Sequence, residues 1–210
     1  MVRGMFETNY DAAQARSTWQ QVKSLALKLH HVELASRAEG EQGIAAFILG
    51  DPDTGKRQVI TAWALSKVER DPAATVRYAS VFGAGLVEMG RYKEALTPLN
   101  QAIDVTSKHP EVAYPSIAIY AKIDAFAGLR QYGAALALAN ESLERLRGKS
   151  YAGHESQVLL SRGSIYRQQG NWPAAIADYK RVVCISQEIQ NYRGVTDGGG
   201  LLAQAYEHTN

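Results

Sequence analysis

The sequence predicts an all-α chain, a right-handed superhelical solenoid of antiparallel helix pairs occupying residues 1–210 as a single repeat domain. Three observations predict it. Three stretches look alike: GRYKEALTPLNQAI from Gly90, LRQYGAALALANESL from Leu129 and GNWPAAIADYKRVV from Gly170, with aromatics Tyr92, Tyr132 and Trp172 each 40 residues apart. Other positions keep the same interval: Ala95, Ala135 and Ala175, then Leu99, Ala139 and Tyr179, then Ala102, Ser142 and Val182. A fixed period of this size marks a stacked repeat array. Within each copy, a small residue, another four later and a third three beyond that lie along one helix face. The alanine lets two backbones approach, and its neighbours fill the space beside it.

Taken in order, helices are predicted over about 11–30, 32–49, 57–70, 72–89, 92–107, 111–129, 132–147, 154–169, 172–189 and 194–208. Ala15, Trp19 and Val22 stand 80 residues before Ala95, Leu99 and Ala102, so 11–30 reads as the second helix of an incomplete repeat. Helix pairs follow over 32–70, 72–107, 111–147 and 154–189. Their first helices share Gly43, Gly83 and Gly163, and the ladder Leu86, Phe126, Tyr166 and Tyr206. The segment 194–208 is a first helix without its partner. Asp71-Pro72 and Asn171-Trp172-Pro173 read as N-caps with proline in the first turn, while Gly90, Gly148 and Gly170 end helices. Pro98 and Pro115 should kink or shorten their helices. The three glycines in DGGG, residues 197–200, would each cost about 1 kcal/mol in a helix, so a start after them is favoured over close backbone approach. Arrays of this kind end in polar capping helices. The uncapped ends make the chain, by expectation, a fragment of a longer protein, able to self-associate through them.

These residues resemble the tetratricopeptide repeat, which places glycine, an aromatic and alanine at the turn into its second helix. The interval of 40 exceeds the usual 34 of that family, so the resemblance is to its long-repeat variety.

GDPDTGKR, residues 50–57, departs from a phosphate-binding loop only at Arg57, where a hydroxyl should follow the lysine. The repeat assigns it otherwise. Gly50 is 40 residues before Gly90 and 120 before Gly170, which makes it a turn glycine after a helix, with no sheet to support a phosphate loop. The remainder is expected to form an enlarged turn, an insertion of about four residues before the next helix. Phosphate chemistry at this loop is the enzyme reading that competes with a binding module.

Composition excludes other classes. Net charge is +2, from 23 basic and 21 acidic residues, so neither nucleic acid nor membrane is indicated as partner. One cysteine, Cys184, excludes an internal disulfide and a thiolate metal cage. The longest apolar run, residues 44–49, is far below the roughly 18 residues of a membrane span. With no secretion signal at the N-terminus, a cytoplasmic location is expected. His30 and His31 are adjacent and point about 100° apart on a helix, which is not a metal pair. No nucleophile elbow surrounds Ser161 or Ser164. No cofactor and no catalytic group is expected.

The resemblance implies that the first helix of each pair lines a concave groove for a protein or peptide. The repeat register maps Arg37, Arg77, Ser80, Tyr120, Asp124, Gln157, Ser164, Arg167 and Gln204 to that face. Three arginines and a tyrosine suit an acidic or C-terminal peptide through bidentate contacts and stacking. Chaperone-binding relatives hold a terminal carboxylate with lysine and asparagine; Gly40 and Ile44, Ser80 and Ala84, and Tyr120 and Asp124 stand there instead. The reading is a non-catalytic binding scaffold within a larger regulatory or signalling protein. The alternative is a small-molecule sensory module coupled to an output domain.

Overall fold

The computed structural model describes residues 11–147 and 151–209, and these residues form ten helices with no strand. They are α1 (Ala12–Lys28), α2 (Val32–Ile48), α3 (Pro52–Val68), α4 (Pro72–Glu88), α5 (Tyr92–Lys108), α6 (Ser116–Gly128), α7 (Tyr132–Leu146), α8 (Ala152–Gln168), α9 (Trp172–Glu188) and α10 (Tyr192–Glu207). Helices pack on their neighbours in chain order: α1 on α2, α2 on α3 and α3 on α4, and likewise from α7 through α10. This is the tetratricopeptide-like stack of helix pairs that the forty-residue register predicts.

The helices start every 20 residues, with one exception at α6. The connection explains the interval. At the end of α2 the Gly50 N–H donates to Phe47 O at 3.1 Å and the Asp51 N–H to Ala46 O at 2.9 Å, a Schellman closure. It requires a left-handed residue, and Gly50 has φ +79°. Asp51 then starts α3, its carboxylate accepting the Thr54 N–H at 3.2 Å, with Pro52 in the first helical position. One residue thus closes one helix and opens the next. The same pair of backbone bonds closes α1, α3, α6, α8 and α9, with His30, Arg70, Arg130, Gly170 and Gln190 in the left-handed position.

Helix starts differ from expectation at α3, α6 and α10. No turn is enlarged at Gly50: DPDTGKR is the capping residue and first two turns of α3. Gly55 sits inside that helix, where a Cβ would come within 2.8 Å of the Phe47 ring and 2.9 Å of the Gly43 carbonyl. The glycine run is likewise helical, because α10 begins at Tyr192, capped by Asn191. Close approach is the reason at one glycine of the run, since a Cβ on Gly198 would meet Val182 at 2.7 Å, and at Gly194 ahead of the run, where one would meet Ser186 Oγ at 2.3 Å. Pro98 lies within the full-length α5, whereas Pro115 immediately precedes a shortened α6. Asp71 and Asn171 are the predicted caps. Gly148 lies outside the described residues.

The chain forms two compact units, one reaching Met89 and including Thr97–Ala118, the other comprising Gly90–Leu96 and the chain from Ile119 onward. In the first, Trp19 packs with Ala15, Ala38 and Ala45, and Val59, Ala62, Ala74 and Tyr78 form a second cluster flanked by Phe47, Trp63 and Phe82. In the other, Ala175, Tyr179 and Ala205 pack with Leu160, Tyr166 and Trp172, beside Leu159, Val182 and Ile185. Within each unit the first helices also touch one another, α2 with α4 and α8 with α10. Among the described residues, the second helices α1 and α3, or α7 and α9, make no such contact. The first-helix side of each unit is its closer-packed side.

Candidate functional site

Along α2 and α4, ion pairs tie the first helices of the first unit together. Arg77 is held bidentately by Glu41, with Nη2 donating to Oε2 at 2.7 Å and Nε donating to Oε1. Arg37 donates from Nε to Asp71 Oδ2 at 2.7 Å, and its Nη2 also lies 3.3 Å from Glu33. Asp71 is at the same time the N-cap of α4, accepting the Ala74 N–H at 3.0 Å. The Tyr78 hydroxyl donates to the Arg37 carbonyl at 2.8 Å. Burial, aided by the Glu41 carboxylate, pushes the Tyr78 phenol well above its ordinary value, so it stays a neutral donor. The carboxylates are sunk, Glu41 and Asp71 each having 5% of the side chain exposed, while Arg77 and Arg37 keep 38% and 32%. The exposed surface of both pairs belongs chiefly to the arginine side chains.

Arg37, Glu41 and Arg77 border one pocket of about 110 Å³ whose other walls are Trp19, Ala73, Ala74 and Tyr78. Trp19 is 1% exposed, and its indole N–H is buried without an acceptor.

The remaining predicted positions are dispersed. Ser80 is 2% exposed and donates to Val76 O at 2.6 Å, which removes it from any contact surface. Its hydroxyl serves its own helix instead. In the second unit, Gln157 and Gln204 are exposed, and Tyr120, Asp124, Ser164 and Arg167 are half-buried. Burial raises the Asp124 carboxyl to about 6, against the opposing hydrogen bond from Ser161. Ser164 lies 3.4 Å from the Tyr179 hydroxyl. The Arg167 Nε is buried and has no acceptor among the described residues.

Sequence reasoning missed the acidic partners. Glu41 is one turn after Arg37 on the same face, and a cap at Asp71 was legible, but their pairing with Arg77 and Arg37 crosses between helices. It also missed Arg162, which grips Asp178 at 2.8 and 2.6 Å and Asn140 at 2.7 Å. That arginine lies against a polar pocket of about 530 Å³, with Glu155 and Arg181 also lining it. Among the described residues no cluster of histidine, cysteine and carboxylates could hold a metal ion. No helix is long and apolar enough to cross a membrane.

The family model described as tetratricopeptide repeat matches residues 157–189, spanning most of α8 and all of α9. A search of curated proteins gives no match to the chain.

Proposed function

We propose that this chain, which carries a tetratricopeptide repeat at residues 157–189, is a non-catalytic scaffold module that takes a protein or peptide along its first-helix face. Repeats of this family generally mediate protein–protein interaction. The observation supporting the groove reading is that within each unit the first helices touch, α2 with α4 and α8 with α10, and that in the first unit half-exposed arginines stand over sunken carboxylates. Such a surface offers hydrogen-bond donors while remaining folded through its own ion pairs. It suits an acidic segment of a partner, within a larger regulatory protein of cytoplasmic location. The sensory alternative has less support: the apolar pocket of about 110 Å³ fits one side chain, and the pocket of about 530 Å³ beside Arg162 has the volume of a small-molecule site but a polar lining where such sites are mostly apolar.

The face is tested by selecting peptides from a displayed library against the full chain. Substitution of the exposed Gln157 and Gln204 by glutamate should weaken the selected acidic peptides about tenfold, and Ala177→Glu on the second helix α9 should leave them unchanged. Equal loss from both substitutions, or from neither, places binding elsewhere. Arg77 is unsuited to this test, because its loss strands Glu41.

A further inference from the structure

We propose that the cleft between the second helices α3 and α5 of the first unit is a docking site for a glutamate side chain of the protein partner, held by Lys67 and Arg70. The proposal rests on the reading of the chain as a protein-binding scaffold and places this contact on the second-helix side.

The cleft opens where α3 and α5 stand apart over the start of α4. Lys67 and Arg70 from the end of α3, Pro72 and Thr75 from α4, and Val105 and His109 from α5 surround about 380 Å³, against about 110 Å³ between the first helices.

Its charge is one-sided. Lys67 and Arg70 are exposed, and among the described residues neither makes an ion pair. The Lys67 ammonium lies 3.9 Å from the centre of the Trp63 ring, which positions it without neutralising it. Asp71 also lines the cleft, but its carboxylate is spent on Arg37 and the Ala74 N–H, and 5% of the side chain is exposed. His109 is held by Glu111 at 3.0 Å. Arg37 and Arg77 have their carboxylates; Lys67 and Arg70 do not. A carboxylate from a partner supplies the missing charge, and a guanidinium takes it bidentately. Pro72 and Val105 give the recess an apolar wall, which suits the methylene stem of glutamate.

The backbone gives a second, independent indication. Arg70 has φ +54°, the left-handed conformation that Gly50, Gly90 and Gly170 fill elsewhere in the chain. A Cβ is disfavoured there. The closure made by the Arg70 and Asp71 N–H groups, on Lys67 O and Ser66 O, needs no side chain at position 70 and would form equally with glycine. The arginine is therefore kept for something other than the turn, and what it borders is the cleft.

Arg70→Gly separates the two roles, because it relieves the backbone while removing the guanidinium. It should raise the melting temperature and weaken binding. The full chain is titrated with acetyl-Ala-Glu-Glu-Ala-amide to millimolar concentration, following the ring signals of His109, assigned by His109→Gln. These should shift and saturate. Arg70→Gly and Lys67→Gln should each weaken binding about fivefold or more, and added salt should weaken it further. An unmoved His109 signal, equal binding of acetyl-Ala-Gln-Gln-Ala-amide, or unchanged binding by Arg70→Gly overturns the proposal. A melting temperature that falls in Arg70→Gly assigns the arginine to the turn and likewise overturns it. Equal binding of free glutamate, or equal displacement by inorganic phosphate, makes the occupant a small anion and overturns the partner assignment. If library peptides bind the chain and are indifferent to Arg70→Gly, this proposal fails and the scaffold reading survives; if no peptide binds, both fail.

Discussion

At the scale of single residues, glycine has three distinct uses in this chain, and each responds differently to a methyl group. Gly50, Gly90 and Gly170 have φ of +79°, +71° and +73°, and a Cβ added to any of them would meet nothing within 4 Å, so their requirement is purely a backbone one. Gly198 has ordinary helical geometry, but a Cβ would lie 2.7 Å from Val182. Gly200 is exposed, helical, and meets nothing within 4 Å. Three alanine substitutions therefore separate: Gly50→Ala should lower stability by about 1–2 kcal/mol through left-handed strain, Gly198→Ala should lower it through overpacking, and Gly200→Ala should raise it by about 1 kcal/mol through helix propensity. Urea unfolding of the three variants measures these signs. A neutral Gly50→Ala would contradict the capping assignment. The position of Gly50 was legible in the sequence because the forty-residue register predicted a turn there. The tight three-residue connection was not, because Asp-Pro followed by Thr-Gly spells a loose turn as well as a helix start.

At the scale of elements, helices are joined by residues that act on both sides of a connection, and first helices are joined by charge. Asp71 closes α3 through its N–H, caps α4 through its carboxylate and neutralises Arg37 on α2. The bidentate pair of Arg77 and Glu41 does the same between α4 and α2. Removing one member of a buried pair costs about 3–5 kcal/mol because the other charge is stranded, whereas apolar replacement of both is close to neutral. Arg77→Ala should accordingly destabilise by nearly that amount, discounted for the arginine's 38% exposure. The double substitution Arg77→Met with Glu41→Leu should recover most of it, measured by the urea midpoint at constant slope. A double variant as weak as the single one would mean that packing, not stranded charge, sets the cost.

At the scale of the whole molecule, the chain comprises two units in each of which helices contact their chain neighbours, and stability in such an array is a sum of local terms. Trp19→Ala, expected to cost about 3–5 kcal/mol in its own unit, should strip hydrogen-exchange protection from α1 and α2 while leaving that of α9 nearly unchanged. Uniform loss across all helices would show a single cooperative block instead. The sequence by itself determined the helical class, the repeat period and the packing alanines such as Ala95, Ala135 and Ala175, because a period is a property of spacing and needs no partner to be read. It also determined the turn glycines, whose conformation is local. Only the tertiary structure decided that Ser80 is buried, that Arg37 and Arg77 are already paired with Asp71 and Glu41, and that Trp19 and Tyr78 enclose a pocket between helices. Register places a residue on a face; which atoms on that face remain available is set by the side chains of helices 34 to 36 residues away in sequence.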